Sequence, residues 1–582
     1  MRWQPQRQRG NHNEAVAMSH TTAVPDAVPP TRRRYHRWAA NETLEDYSLR
    51  FAPTTYRTWS PMIVASTALG GIAYLADYAI GASVVLANGT PSAVVGILLA
   101  ASVIFLTGIP ISYFSARYAI DMDLLTRGAG FGYLGSTITS LIYASFTFIF
   151  FALEGAIMAQ ALDSGLGIPL PLGYVITSLV VIPIVVYGMR ALSKLQAWTQ
   201  PVWLLIMVLP FVALAVQQPA AFSDFAAFEG TGGTSGISTL GVGLAAGVAL
   251  SLIAQIGEQV DYLRFMPPKT EQNKVRWWAA VLSAGPGWVI LGAIKQISGG
   301  LLAVWILDEV GEAAAVEPIE QFTAGLGLTL PGWAVVPVAV FFVVLSQVKI
   351  NVTNAYAGSL AWSNFFSRTL HAHPGRVVYI FLNVGVALLL MELGVFGFLN
   401  SVLGFYSNVA IAWIGAVVAD LVINKPLGLS PSWIEFKRAH LRSINPVGFV
   451  SMMVASTVSI SAFFGAFGAL AAAYSPFLAL AIAFVLSPAI CVLTRGRYYL
   501  ARPDDLQPPL KDPDGALSTV VLDCASCETG FERPDMASCP FHGGAICSLC
   551  CSLETRCGEM CQQPTGQTVD LPYPAPAPVA GG

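Results

Sequence analysis

Charged residues are scarce in this chain: Asp, Glu, Lys and Arg together make up 11% of its 582 residues. Soluble domains carry about 25% charged residues, so the composition excludes an ordinary soluble protein. Hydrophobic residues instead make up 54% of the chain, and its mean hydropathy is +0.61. These values are typical of a protein that lies mostly within a lipid bilayer, and they give no reason to expect a nucleic-acid partner.

Lys and Arg are missing from every second connection between the long apolar segments. Residues 163–170, 219–236 and 307–321 contain neither. The intervening connections are basic, at residues 117–127, 190–194, 264–276, 368–376 and 425–442. Cytoplasmic loops retain positive charge because it resists translocation. The alternation therefore predicts a multi-pass protein of the cell inner (plasma) membrane, with both termini in the cytoplasm.

The apolar segments are long enough to cross a membrane as helices. Each crossing needs ~20 apolar residues, and roughly twelve segments meet that criterion. Numbered spans 1 to 12, they lie near residues 60–87, 91–116, 133–162, 171–189, 197–217, 237–263, 277–305, 331–363, 377–395, 398–423, 447–470 and 474–494. They are apolar on all sides, which favours helices over the alternating strands of a barrel. We predict an all-α polytopic membrane protein with about 12 transmembrane helices.

Composition divides the chain into five parts. They are an Arg-rich N-terminal arm (1–58), a membrane body (59–500), a Pro-containing linker (501–522), a Cys-rich segment (523–562) and a tail expected to be disordered (563–582). The arm does not read as a cleavable signal peptide, because the first apolar segment is too long for one. Within the body, the Gly70-Gly71 pair of span 1 indicates either a break in the helix or close helix packing.

Polar side chains inside the apolar segments are costly, so each is a functional hypothesis. They are Asp77 in span 1, Glu154 in span 3, Gln255, Glu258 and Asp261 in span 6, and Gln347, Lys349, Asn351 and Asn354 in span 8. The three amides of span 8 share one helical face, which would suit a planar ligand with donors and acceptors along its edge.

Depth in the membrane separates these groups. Glu154 and Lys349 lie far from either end of their spans, and an ion pair between them, or of Lys349 with Asp77 or Glu258, would keep these groups charged. A purely structural ion pair is the alternative. Asp261, by contrast, is expected at the cytoplasmic mouth. Three further charges are expected to reach the membrane surface: Lys295, Glu392 and Asp420.

Three motifs give the chain a family resemblance. Residues 131–135 (FGYLG) open span 3, residues 261–267 (DYLRFMP) end span 6, and Asn351, Asn354 and Tyr356 form an N-x-x-N-x-Y pattern in span 8. Together they resemble the nucleobase–cation symporter family, of the purine–cytosine permease type. The resemblance implies two inverted five-helix repeats plus two further helices, with a substrate held mid-membrane between spans 1, 3, 6 and 8.

The resemblance also implies roles for individual residues. Phe150 takes the aromatic position of span 3, and Glu154 takes a position usually filled by an amide. Gln255 stands where span 6 usually offers Trp, and Asn354 matches the amide of span 8. Glu258 and Asn351 complete the expected substrate site. Because a carboxylate replaces an amide at residue 154, a cationic or more polar ligand is favoured over a plain nucleobase.

Coupling is expected to differ from that of sodium-using family members. Such members bind sodium between span 1 and span 8, at a position that falls near Lys349. An ammonium there would take the place of sodium, because two cations cannot share a site of low dielectric constant. We therefore assign coupling to Lys349 and Asp77 and do not expect sodium at the transport site.

Eight of the nine cysteines lie in the tail, between residues 524 and 561. Two C-x2-C pairs with further Cys and a His have the spacing of zinc ligands, and cytoplasmic thiols stay reduced. The candidate ligands are Cys524, Cys527, Cys539, His542, Cys547, Cys550, Cys551, Cys557 and Cys561. They would suffice for two tetrahedral ions; a redox-active thiol cluster is the alternative.

The function predicted from these features is secondary active transport of a nucleobase-like or related small nitrogenous solute. The alternative is a transporter-like sensor that signals through the Cys-rich tail to a cytoplasmic protein. We expect no enzymatic activity, because the chain contains neither an H-E-x-x-H motif nor a convincing Ser/His/acid triad. A nucleotide-binding loop is also missing from the sequence, so we do not expect ATP to drive transport.

Overall fold

The computed structural model describes residues 47–233, 236–511 and 517–562, apart from the side chain of Arg190. Most of the predicted arm, residues 1–46, and the predicted disordered tail lie outside the described residues. The sequence-based prediction of an all-α membrane body is confirmed. Among the described residues, nine helices are long and apolar enough to cross a membrane, and the bent helix pair of span 1 makes ten.

All twelve predicted spans are helical. Spans 1 to 6 comprise the helices Pro61–Gly70 with Ala76–Asn88, Thr90–Tyr118, Ser136–Leu166, Leu170–Val180 with Ile182–Val186, Gly188–Gln217, and Thr239–Ala249 with Gln255–Leu263. Spans 7 to 12 comprise Lys274–Ala284 with Trp288–Val310, Gly332–Thr369, Arg376–Glu392, Leu399–Ala419, Pro446–Phe463 and Ser475–Thr494. Spans 4 and 9 are the two that are too short to count among the ten.

Shorter helical segments lie between the spans or, at the breaks of spans 1 and 6, within them. They are Gly71–Ala73, Met122–Thr126, Arg127–Phe131, Ala220–Ala227, Leu250–Ala254, Glu312–Ala315, Pro318–Gly327, Val395–Phe398, Asp420–Asn424 and Ala469–Ala473. Spans 3 and 8 pack against each other over a long stretch, as do spans 1 and 7. These two pairs place the polar residues of spans 1, 3, 7 and 8 in the centre of the body.

Span 1 is broken in its middle, as the glycine pair indicated. The helix leaves its regular path at Ile72, whose ψ is +24°, and its two halves are bent by 51°. Glycine has low helix propensity, and a Cβ at Gly70 would lie 2.6 Å from the Cβ of Gln196 in span 5. The glycine therefore serves both a break and close helix packing.

Spans 1 and 7 cross with their backbones in contact. A Cβ at Gly81 would lie 1.8 Å from the carbonyl oxygen of Gln296, and a Cβ at Gly299 would lie 2.3 Å from that of Tyr78. Small residues allow such close approach between membrane helices. The crossing brings the side chains of Lys295 and Gln296 within reach of span 1.

The Cys-rich segment folds as two antiparallel hairpins and a short helix. The strands are β1 (Val521–Asp523), β2 (Gly530–Glu532), β3 (Met536–Cys539) and β4 (Gly544–Cys547), and the helix is Ser548–Leu553. Its small apolar core contains Cys524, Cys547 and Cys550 together with apolar residues that include Phe531, Met536 and Ile546.

This domain lies against the end of the body that carries the basic connections, called the basic end below. Arg50, just before span 1, forms an ion pair of 3.1 Å with Asp535. The backbone N–H of Thr54 donates to Glu532 at 2.7 Å. Arg438, between spans 10 and 11, donates to the carbonyl oxygen of Glu554 at 2.7 Å. The tail domain is therefore attached to the segment that leads into the broken span.

Candidate functional site

The break of span 1 leaves backbone groups without helical partners, and side chains of other spans bind them. The N–H of Leu75 donates to the Gln347 side chain of span 8 at 3.3 Å. The N–H of Ala76 donates to the Glu154 carboxylate of span 3 at 3.3 Å. Buried backbone groups need such partners, so the break fixes where the two side chains lie.

Lys295 of span 7 binds the other side of the break. Its ammonium donates to the carbonyl oxygens of Ile72 and Tyr74, both at 2.9 Å. It also forms an ion pair of 3.0 Å with Asp77 and lies 3.7 Å from the centre of the Tyr74 ring. Four interactions therefore hold one cation at the point where the helix is interrupted.

Two further carboxylates lie in the same region, and they have fewer hydrogen-bond and charge partners. Glu154 and Glu258 are fully buried, and each interacts unfavourably with the negative charge of the other. Gln255 donates to Glu258 at 2.6 Å. The Gln347 amide lies beside Glu154 without a well-aligned hydrogen bond. Within the described residues, one oxygen of each carboxylate has no hydrogen-bond partner.

Negative charge therefore exceeds positive charge at the break. Asp77, Glu154 and Glu258 are all fully buried, and among the described residues Lys295 is the cation that interacts with Asp77 and Glu154. If all three carboxylates are ionised, the group has a net charge of −2 in a water-poor region. Buried charges without partners are strongly unfavourable, so protons or a bound cation must supply the balance.

The amide face of span 8 is only partly directed at the break. Gln347 reaches span 1, whereas Asn351 donates to the carbonyl oxygen of Phe151 in span 3 at 3.3 Å. Asn354 donates to Asn351 at 3.0 Å. The oxygen of the Asn354 amide has no hydrogen-bond partner among the described residues. It is the one acceptor of this face that is available to a ligand donor.

Phe150, the predicted aromatic residue, is buried one helical turn before Glu154. Its ring packs against Phe146, with 4.5 Å between the ring centres. Gln255, predicted in the position of an aromatic, is turned towards Glu258. Phe150 thus provides an aromatic surface near the carboxylates. At the second position, where the family has an aromatic residue, Gln255 provides a polar contact.

Lys349 does not make the predicted bridge between spans 1 and 8. Its ammonium donates to Thr199 at 2.9 Å and to Gln200 at 3.0 Å, and both residues belong to span 5. It therefore pairs with neither Glu154 nor Asp77. The physical reason is the rotation of span 8, which turns the Gln347 position towards the break and the Lys349 position towards span 5.

Lys295 was expected near the membrane surface, and that expectation is wrong. It lies ten residues before the predicted end of span 7, which is about 15 Å along a helix and beyond the reach of a lysine side chain. Its depth was thus readable from the sequence. Glu392 is exposed as expected, but Asp420 is buried and forms an ion pair of 3.2 Å with Lys425.

A second buried charge cluster closes the basic end and is called the basic mouth. Its members are Asp121, Asp123, Arg127, Asp261, Arg264 and Arg368, each at most 2% exposed. Arg264 forms an ion pair of 3.5 Å with Asp121 and donates to Tyr356 at 2.7 Å. Arg368 forms an ion pair of 3.7 Å with Asp123. Asp261 thus lies at a mouth as predicted, and it accepts from Tyr143 at 2.9 Å.

The tail contains a candidate metal centre. The sulfur atoms of Cys524, Cys527, Cys547 and Cys550 lie within 4.8 Å of one another. Tetrahedral zinc–sulfur bonds of about 2.3 Å place sulfurs about 3.8 Å apart, so small movements would complete the site. The group can hold a metal ion. His542 is not part of it, because its ring lies 3.4 Å from Glu554.

Comparison with known proteins identifies the fold. No protein-family model and no curated relative matches the chain. Solved structures do match it. Mhp1, a nucleobase-cation-symport-1 family transporter in a closed conformation with bromovinylhydantoin bound, is similar with a TM-score of 0.58 and 17% identity, over 76% of this chain and 95% of that chain.

Two further structures agree. The inward-facing conformation of Mhp1 matches with a TM-score of 0.56 and 16% identity, over 76% of this chain and 92% of that chain. A substrate-bound, outward-open sodium-coupled sialic acid symporter matches with a TM-score of 0.55 and 13% identity, over 79% of this chain and 95% of that chain. The predicted resemblance is thus confirmed at the level of the fold, which is that of these transporters.

Proposed function

We propose that the protein is a secondary active transporter for a small nitrogenous solute that carries a positive charge. Two features support this. The fold is shared with symporters, one of them solved with bromovinylhydantoin bound. The break of span 1 offers backbone and side-chain polar groups in the middle of the body, where transporters of this architecture bind substrate. The neighbours give no support to the alternative of a sensor or to a signalling partner.

The observation that carries the proposal is the excess of carboxylate at the break. Glu154 and Glu258 each have an oxygen without a hydrogen-bond partner among the described residues. A flat cation with several N–H groups would donate to both and remove their mutual repulsion. Phe150 would supply an aromatic face for such a cation. A neutral nucleobase would leave the repulsion in place.

Lys295 has a separate role in this proposal. It binds two backbone carbonyls and Asp77, so it holds the two halves of span 1 together and neutralises one carboxylate permanently. Glu154 and Glu258 then alternate between protons in the empty site and the charged group of the ligand. Binding of a monovalent cation would replace one of these protons, and transport would exchange the solute for that proton.

The prediction that sodium is absent from the transport site loses its basis. It rested on Lys349 lying between spans 1 and 8, whereas Lys349 contacts span 5. A structural neighbour is also sodium-coupled. The experiment below therefore includes sodium as a variable.

We also propose that the basic end faces the cytoplasm of a cell whose inner membrane holds the body. The positive charge of its connections supports this orientation. Cys524, Cys527, Cys547 and Cys550 would then hold zinc as a structural ion among reduced thiols. Accessibility labelling at Glu312, at the opposite end of the body, would separate the two orientations.

A matched pair of probes tests the proposed substrate class. Benzamidine is a flat cation, and benzamide is its neutral isostere. We expect benzamidine to raise the unfolding temperature of the purified protein and benzamide to have little effect. Glu154→Gln should reduce this difference, whereas Glu392→Gln, a change at an exposed carboxylate, should preserve it. Equal shifts with both probes in the wild type would overturn the assignment of charge.

Uptake then tests transport itself. Proteoliposomes containing the protein should accumulate a labelled cationic solute when the pH differs across the membrane, measured in sodium and in potassium media. Accumulation in potassium would assign coupling to protons, and accumulation only in sodium would assign it to sodium. Tight binding with no uptake in either medium would contradict a transporter and favour the sensor.

A further inference from the structure

The four tail cysteines outside the first metal group also lie together. They are Cys539, Cys551, Cys557 and Cys561. All four are half-buried and line the same cavity, although their sulfur atoms do not all lie within the 4.8 Å that joins the first group. Three separate elements contribute them: the end of β3, the helix Ser548–Leu553 and the segment after it. Chain neighbourhood alone does not explain such convergence.

All four cysteines line one small cavity. Its volume is about 20 Å³, and Ala439, Phe541 and Met560 are among its other walls. A cavity of this size holds a single water-sized particle. It has room for one metal ion and lacks room for a cluster of several irons and sulfides.

Two arginines provide a matching charge. Arg438 interacts with the charge of Cys551, and it also donates to the backbone carbonyl of that residue at 3.0 Å. Arg502 interacts with the charges of Cys539 and Cys561. A divalent ion with four thiolates carries a net charge of −2, and positive groups nearby reduce the cost of burying it. Arg438 shares its charge with Glu559, at 3.2 Å, so Arg502 is the less compensated of the two guanidinium groups.

We propose that Cys539, Cys551, Cys557 and Cys561 form a second metal site that holds one zinc ion with four thiolates. His542, a candidate ligand by sequence, is not part of it and lies beside Glu554. The two sites use different cysteines and share no ligand. The first site is internal to the tail domain, and the second lies where that domain meets the membrane body.

The position of the second site gives it a distinct consequence. Ala439 lines its cavity, and the flanking Arg438 and His440 belong to the connection between spans 10 and 11. The backbone N–H of Ala501 donates to His440 at 2.8 Å, which ties the connection to the chain leading into the tail. An ion in the second site would therefore order the part of the tail that contacts the basic end, whereas the first ion would stabilise the centre of the tail domain.

Metal content of the full-length purified protein tests the inference. We expect about two zinc ions per chain, measured by elemental analysis, and about one in Cys557→Ser/Cys561→Ser. His542→Ala is the matched control and should retain both ions. One zinc per chain in the wild type, unchanged by Cys557→Ser/Cys561→Ser, would overturn the second site.

Alkylation of the wild-type protein gives a test that does not depend on the folding of a variant. With metal bound, all eight tail cysteines should resist iodoacetamide, and a zinc chelator should expose both groups. Reactivity of Cys557 and Cys561 before chelation, with Cys524 and Cys527 protected, would contradict the proposal. A disulfide among the four cysteines under cytoplasmic redox conditions would also contradict it, since it would remove the ligands.

Discussion

The break of span 1 and the basic mouth are both buried clusters with three carboxylates, but they differ in their cations. Asp121, Asp123 and Asp261 of the mouth are accompanied by three arginines. Asp77, Glu154 and Glu258 at the break are accompanied by Lys295. The mouth is thus neutral with every side chain ionised, whereas the break is left with a net charge of −2.

We propose that this difference distinguishes a structural cluster from a binding site. Charges that are matched within the protein need no ligand, and the mouth also binds the segment before span 1, since Arg264 donates to the carbonyl oxygen of Tyr47 at 3.2 Å. Charges that are not matched need an outside partner. On this reasoning we propose that the mouth closes the basic end and that the break recognises the substrate.

The largest effect is expected from Lys295→Met, which removes the cation at the break. Three buried carboxylates would then face one another, and two backbone carbonyls would lose their donor. We expect stability to fall by about 3–5 kcal/mol and ligand binding to be lost, measured by thermal unfolding and by titration.

A second substitution checks that result. Lys295→Met/Asp77→Asn removes both members of the ion pair and should recover part of the lost stability, because the uncompensated charge is gone. A double variant as unstable as the single one would show that Lys295 acts through packing and not through charge.

Arg264→Met should leave the basic mouth with more negative than positive charge. It removes the ion pair with Asp121 and the hydrogen bonds to Tyr356 and Tyr47. We expect a stability loss of about 3 kcal/mol and no change in the preference for benzamidine over benzamide. A changed preference would mean that the mouth and the break are not independent.

Glu258→Gln should bring the break closer to neutrality. A cationic ligand would lose one charge-assisted hydrogen bond, so its affinity should fall by about tenfold or more. The affinity of a neutral ligand should stay the same or improve. Calorimetric titration of both probes measures the two changes, and equal losses for both would favour a steric explanation.

The smallest effect is expected from Lys349→Met. This ammonium is buried but bonds only to span 5, so ligand affinity should stay within about twofold, as for independent sites. A loss as large as that of Lys295→Met would restore the original assignment of coupling to Lys349.

Hydropathy and loop charge predicted the spans, and the acidic residues of the break were predicted because they interrupt apolar segments. Asp77, Glu154 and Glu258 needed no structural information. Which lysine meets them depends on how spans 7 and 8 are rotated and how closely Gly81 allows span 7 to approach. Neither property is encoded in local hydropathy, so Lys349 was chosen in place of Lys295.

In the tail, too, the sequence predicted the kind of site but not the complete grouping of its residues. Spacing predicted a cysteine-based metal centre and two C-x2-C pairs, and the structure joins those two pairs into one group. The grouping of Cys539 with Cys551, Cys557 and Cys561 depends on the fold of the β3–β4 hairpin, which brings distant residues together. The burial of Asp121 and Arg264 likewise depends on helix packing and not on their position in basic connections.

Proton release on ligand binding tests the central claim most directly. Benzamidine binding to the wild type, followed by calorimetry in buffers of different ionisation enthalpy, should release about one proton from the Glu154–Glu258 pair. Affinity should rise with pH, since protons compete with the cation for the same carboxylates. In Glu154→Gln/Glu258→Gln the release should disappear. Binding without proton release in the wild type, with equal affinity for benzamide, would contradict the account.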